Sequence, residues 1–279
     1  MFYTEFSENI KEEIYMERRV MIAAHRGTSG ANIIQNTIGA YENALLHGAD
    51  ILELDVIQTV DGDFFTFHNG QEPGLVGTDQ DIRTMTTEQV RNLRFFNGMQ
   101  ERVKEPVNSF DDVLEHFKGK NCLINVDRSW FYWRDVIRAI NRHGMKDQII
   151  LKSHAAQEEL EILAEEGPDI MYLPILRDPA VLDRVRRYKV NLYGAEVIFE
   201  TEDHVFCSGE FIEGMHRDQK KLWVNALTLD DTTKLTAGHD DNSAILQDMD
   251  QAWGWLIDKG YDIIQTDWPL LLKTYINGR

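Results

Sequence analysis

Several things are scarce in this chain. It has two cysteines in 279 residues, Cys122 and Cys207, too few for a disulfide framework. Cys122 lies in an apolar run and reads as a packing residue. There are six prolines, and no Pro- or Ser-rich stretch marks a linker between domains. No repeat or low-complexity segment appears. No apolar run approaches the ~18 residues that a membrane-spanning helix needs. Cations are also few: 29 Lys and Arg stand against 47 Asp and Glu, a net charge of −18. That balance argues against a nucleic-acid or anionic-membrane partner, since both require clustered Lys and Arg. Residues 1–19 are polar and charged, without the apolar core of a signal peptide. They are expected to form a helical extension, and the protein is expected in the cytoplasm.

What is present is a regular alternation. The length suits one domain, because an α/β barrel takes about 250 residues as a single unit. Short apolar runs at 20–25, 50–56, 121–127, 148–152, 170–174, 194–199, 222–226 and 262–266 read as strands. Helical patterns fall between them, at 37–47, 109–118, 131–143, 155–166, 179–187, near 209–220 and at 247–259. Gly48, Gly144, Gly167 and Gly260 sit where helices should end. The expectation is a single (β/α)₈ TIM barrel over 1–279. One segment departs from the pattern. No helix fits between Asp55 and His68, and Asp61-Gly62 is a tight-turn signal between extended runs. A β-hairpin is expected there, with its second strand antiparallel and returning His68 towards the barrel mouth. Residues 69–108, with several Gly, Asp and Thr, are expected to form an irregular insertion that serves as a lid.

Glu53 and Asp55 are one residue apart on a strand and therefore share a face, while Leu52, Leu54 and Val56 share the other. Two neighbouring carboxylates repel unless a cation sits between them, and a hard divalent ion with oxygen ligands fills that need. His25 precedes the pair and His68 follows it, supplying acid and base. Barrel active sites lie at the C-terminal ends of the strands. The expected strand ends here carry His25, Glu53 with Asp55, Asp127, Lys152, Glu196, Asn225 and Asp267. For Asp267, before Trp268-Pro269, a helix N-cap is the competing reading. Glu196, Trp223 and Asn225 are candidates for a leaving-group pocket, with Trp223 equally open as a core filler. Tyr132 and Trp133 are candidates for the mouth, or for helix packing. The remaining histidines read as surface or packing residues. Asp240-Asp241-Asn242-Ser243 lacks the spacing of a calcium loop and reads as solvated.

These residues resemble the glycerophosphodiester phosphodiesterase family. The matching stretches are His25-Arg26-Gly27, Asn36-Thr37, Ala40-Tyr41-Glu42-Asn43-Ala44, Gly48-Ala49-Asp50, Glu53-Leu54-Asp55-Val56, Thr59-Val60-Asp61-Gly62 and His68. Ile263-Ile264-Gln265-Thr266-Asp267-Trp268-Pro269 resembles the family's closing strand and turn. The resemblance implies that His25 and His68 act as acid and base. It also implies that Glu53, Asp55 and Asp127 bind one Mg²⁺ or Ca²⁺. The chain departs from the family at Gln35, where Glu is usual, and at Asn69, where Asp is usual. The third ligand is Asp127 rather than Glu, which is similar to the related sphingomyelinase D enzymes. Ser129 stands in place of a Lys.

The implied reaction is hydrolysis of a small glycerophosphodiester to glycerol 3-phosphate and an alcohol. His25 is assigned as base and His68 as acid, with the exchanged pair left open. Arg26 would add a fixed charged fork to the phosphate. Lys152 would replace the cation lost at Ser129, unless it pairs with a barrel carboxylate. Two other readings stand: a phospholipase D-like enzyme acting on lysolipids or sphingolipids, and a non-catalytic barrel that binds phosphate esters.

Overall fold

The computed structural model describes residues 20–279, so the expected N-terminal helix over 1–19 lies outside the described residues. Eight parallel strands close a barrel: β1 (Met21–Ala24), β2 (Ile51–Gln58), β4 (Leu123–Asp127), β5 (Ile149–Ser153), β6 (Met171–Leu176), β8 (Gly194–Val197), β9 (Lys221–Asn225) and β10 (Ile263–Thr266). Closure is made by β1, which pairs with both β2 and β10. A two-residue strand, β7 (Asn191–Leu192), adds to the edge of β6. The expected barrel is therefore the observed one, and each expected strand lies within a few residues of its place. No helix among the described residues is long and apolar enough to cross a membrane.

Alternation along the strands builds two cores. Outward side chains such as Leu52, Leu54, Ile124, Val126 and Leu151 pack under the helices Ile38–Leu46, Phe110–Phe117 and Trp133–His143, against Tyr41, Phe117 and Trp133. Ile22, Val197, Val224 and Ile264 do the same on the other side, against Trp253 and Leu256. Each fully buried Leu, Ile or Val contributes about 1.5–3 kcal/mol by leaving water. Several helices start on hydroxyl caps. Thr37 accepts from the Ala40 N–H, Ser109 from Asp112 and Ser208 from Phe211.

The hairpin is present. β3 (Phe64–Thr66) pairs antiparallel with the end of β2, Val56 opposite Thr66. The 69–108 insertion is more ordered than a Gly-, Asp- and Thr-containing stretch implies. It holds short helices at Glu72–Leu75 and Thr87–Asn92. Its Val76, Ile82, Met85, Val90 and Phe95 bury against Phe65 and Phe67 of the hairpin. It is a packed subdomain with its own apolar centre.

Two other expectations change. The 247–259 helix is shorter at its start: a π-helical turn, Asp250–Gly254, leads into Trp255–Lys259. The Asp240–Ser243 stretch is not a solvated loop. Asp240 caps the helix Asp241–Leu246 by accepting from the Ser243 N–H, and Asp241 is buried. A last helix, Pro269–Gly278, follows β10 and carries its proline in the first turn, where no N–H is needed.

Candidate active site

Inward positions near the C-terminal ends of the barrel strands are polar almost all the way round. Glu53, Asp55, Asn125, Lys152, Glu196, Asn225 and Gln265 are all buried there. Asp127 is the register partner of Asp55 on the neighbouring strand, so the carboxylates of β2 and β4 stand side by side.

The turn after β1 brings in His25 and Arg26. Gly27 makes it possible: its φ is +76°, and a Cβ there would lie 2.6 Å from the Ala40 carbonyl carbon. Arg26 also takes a positive φ, 55°. Its N–H donates to Glu53 Oε2 at 2.8 Å, and its Nε lies 3.0 Å from Asp55 Oδ2. Nη1 of Arg26 reaches Gln35 Oε1 at 3.4 Å. The guanidinium expected to serve the phosphate is thus anchored on Asp55. Asn36 holds the same carboxylate from the other side. Its Nδ2 donates to Asp55 Oδ2 at 2.9 Å, and its Oδ1 accepts from the Asp55 N–H and from the Tyr41 hydroxyl.

The two histidines sit in opposite surroundings. His25 Nδ1 lies 2.8 Å from Asp267 Oδ1. A carboxylate can only accept, so Nδ1 carries the proton and Nε2 is left for the mouth. Burial lowers the pKa of His25, but the Asp267 bond and the Glu53 charge outweigh it, leaving the group above its ordinary value. His68 is lowered below its ordinary value. Burial is the main cause, Asp55 opposes it, and Arg26 and Arg128 add to it. His68 Nδ1 is buried with no hydrogen-bond partner among the described residues.

Lys152 lies inside the barrel. It is fully buried, donates to Glu196 Oε2 at 2.7 Å, lies 3.5 Å from Asp127 Oδ2, and sits 4.6 Å from the centre of the Trp223 ring. Burial works against its charge, but Asp127 and Glu196 more than compensate and its pKa is raised. Of the two readings of Lys152, the structure places it in barrel ion pairs. Glu196 also accepts from Asn225 Nδ2 at 2.8 Å. Trp223 is fully buried, donates to Asn225 and Gln265, and belongs to the barrel core rather than the mouth. Ser129 is turned away from the mouth, bonding Val126 O and Trp133 Nε1 under the helix. Trp133 is buried in that same interface.

Sequence reasoning assigned no role to three groups that the fold brings in. Arg128 reaches from the end of β4 to Asn69, next to His68, with Nη2 to Oδ1 at 2.9 Å. Asn36 orients Asp55, and its position in a matching motif was the available signal. Asp267, singled out only as a strand end or cap, is the partner of His25. His116, His143, His216 and His239 pair with surface carboxylates, in keeping with the plain reading of them.

The donor set suits a hard cation in type. Glu53 is pushed up to about 8, first by burial and then by the charge of Asp55, so a second negative charge beside Asp55 is disfavoured without a further cation. Glu53, Asp55 and Asp127 offer only oxygen ligands, which favours Mg²⁺ or Ca²⁺ over softer metals. In the described residues, no three such side chains are already gathered at ligand spacing. Asp55 is turned to Arg26 and Asp127 to Lys152.

A family model described as a domain of unknown function matches residues 172–276. A glycerophosphodiester phosphodiesterase of Caldanaerobacter subterraneus subsp. tengcongensis is 27% identical over 142 residues, covering 48% of this chain and 58% of that protein. The match thus spans under two thirds of that relative's length. The crystal structure of a glycerophosphoryl diester phosphodiesterase from Parabacteroides distasonis superposes with a TM-score of 0.77 at 16% identity, covering 96% of this chain and 92% of that one. An Oleispira antarctica phosphodiesterase, solved with the product sn-glycerol-3-phosphate, gives a TM-score of 0.66 at 17% identity, covering 92% and 96%. The structures share the fold. The sequence motifs stand around one barrel mouth, and the chain is similar to these glycerophosphodiester phosphodiesterases.

Proposed function

We propose that the protein hydrolyses glycerophosphodiesters to glycerol 3-phosphate and an alcohol. Glu53, Asp55 and Asp127 would hold one divalent ion, Mg²⁺ or Ca²⁺. The observation that carries the reading is the pair of imidazoles on one carboxylate cluster, one tied to Asp267 and the other unpartnered at Nδ1. Binding alone needs no such pair. The named relative and the product complex of a fold neighbour support the same substrate class.

When bound, the ion neutralises a nonbridging phosphoryl oxygen and stabilises charge in the transition state. The protein's own groups divide the proton work. His68, kept neutral by burial, takes the proton from the attacking oxygen, which belongs to water or to a neighbouring substrate hydroxyl. His25, kept protonated by Asp267, gives one to the leaving alkoxide. This is the exchanged form of the initial assignment, and the opposite pKa directions support it. Arg26 holds Asp55 and screens the mouth. Arg128 takes the cationic role expected of Lys152, because Lys152 is consumed by Asp127 and Glu196.

One observation favours a second reading, a phospholipase D-like action on lysolipids. Phe131 after β4 and Trp268 after β10 are 67% and 51% exposed at the mouth. The test is release of choline from glycerophosphocholine, which leaves glycerol 3-phosphate, and from lysophosphatidylcholine, which leaves lysophosphatidic acid. Each substrate is measured before and after chelation and after return of Mg²⁺ or Ca²⁺. The proposal expects turnover of the glycerophosphodiester, lost to chelator and restored by metal. Turnover unaffected by excess chelator overturns the metal role, and no turnover of either substrate overturns the reaction.

A further inference from the structure

We propose that Asp241 is a positioning residue that fixes the Asp267–His25 pair through the Thr266–Trp268 turn. Asp241 belongs to the segment after β9, away from the carboxylate cluster, and is 2% exposed. Both of its oxygens point at this turn and its support. Oδ1 accepts from Thr266 Oγ1 at 2.8 Å and from Trp253 Nε1 at 3.0 Å. Oδ2 accepts from the Asp267 N–H at 2.9 Å. Thr266 passes the restraint on in two directions. Its Oγ1 accepts from the Trp268 N–H at 2.9 Å, and its carbonyl accepts from the His25 N–H at 3.2 Å.

The need for such a brace is physical. The Asp267 side chain is 45% exposed, so packing does not hold it against His25. Its direction is set by its backbone, and that backbone is held by a buried carboxylate. Asp240 supplies the helix cap, which leaves Asp241 free to turn inward. Trp253 reaches Asp241 from the π-helical turn Asp250–Gly254; such turns often place a side chain at a functional site. Burial raises Asp241 and the three donors lower it, and burial prevails, leaving the group pushed up to about 7. Nothing apolar of similar size could accept all three, and buried donors left unpaired are costly.

The contact chain stands on its own, and only its kinetic consequence rests on the proposed acid–base reading of His25. The experiment uses Asp241→Asn in the full chain, which keeps the shape and turns an amide towards at least one of the three donors. Thr266→Val is made as a second, milder variant that removes the hydroxyl relay while keeping volume. The neutral His25 ring is read by long-range ¹H–¹⁵N correlation, alongside thermal unfolding, kcat and KM. In the wild type a single Nδ1–H tautomer is expected. In both variants a mixed tautomer signature is expected, with kcat lower by ~10- to 100-fold and KM within about twofold. A folded variant of either kind that keeps the wild-type His25 signature overturns the proposal, as does an unchanged kcat. If Asp241→Asn does not fold, Thr266→Val alone decides by the same signature. A moved signature in a protein with no diesterase activity supports the brace and defeats only the proposed function.

Discussion

The lower and upper halves of the barrel interior come from the same strands by the same alternation, yet from opposite materials. Below lie Met21, Ala23, Ile51, Ile150, Met171, Leu173, Trp223 and Ile263, one apolar cluster. One pleat higher stand Glu53, Asn125, Lys152, Glu196, Asn225 and Gln265, equally buried. The floor stabilises by leaving water. The upper layer does the reverse, because a buried charge costs several kcal/mol unless it is matched. Its stability depends on pairing, above all on Lys152 between Asp127 and Glu196. The site is therefore a strained layer carried by a conventional one.

The largest effect should come from breaking the match. Lys152→Met leaves Glu196 without its cation in a dry layer, and should destabilise the fold by about 3–5 kcal/mol in urea unfolding. Adding Glu196→Gln should restore much of that loss. If Lys152→Met unfolds like the wild type, the upper layer does not depend on pairing. Next in size, His25→Ala and His68→Ala should each lower turnover ~100-fold or more with unfolding curves unchanged. A variant with near-normal turnover removes that residue from the chemistry.

The pH profile is a smaller handle on the same layer. His25 is raised and His68 lowered from the ordinary imidazole value of about 6.5. An acid must be protonated and a base neutral, so activity should hold around the ordinary imidazole value, fall on its acid side as His68 gains its proton and fall on its basic side as His25 loses its own. Each limb should approach tenfold per pH unit, with apparent values belonging to the coupled pair. The residual activity of His68→Ala should lack the acid limb, and that of His25→Ala the basic limb. The opposite pattern returns the roles to His25 as base.

The sequence showed the floor and the inward facing of the upper layer, but not its connections. Period-two alternation placed Glu53 and Asp55 on one face, and the Asp61-Gly62 turn returned His68 to the mouth. Both signals are local. What Lys152 touches depends on Glu196, 44 residues away, and on the closure of the barrel. Asp267 meets His25 only because β10 pairs with β1. Asp241 looked solvated because its neighbours Asp240 and Asn242 are polar, and only the helix cap shows which of them turns inward. The insertion misled for the converse reason. Its Gly, Asp and Thr residues suited a loop, while its few apolar residues found partners on the hairpin.

The smallest expected effect tests the floor, on the strand that carries the carboxylates. Ile51 is fully buried in the apolar cluster, and Glu53 is the next residue on the same face. Ile51→Val removes one methylene and leaves a small gap that the neighbours Ala23 and Leu123, its register partners, fill only in part. The cost should be about 0.5–1.5 kcal/mol, read as a shift in the urea midpoint with unchanged slope. Turnover and its pH profile should stay at wild-type values, since nothing in the floor meets substrate. A loss of stability without a loss of activity is the result that separates the two layers. If Ile51→Val instead lowers turnover tenfold while stability holds, packing one pleat below Glu53 sets the carboxylate geometry. The floor would then be part of the site.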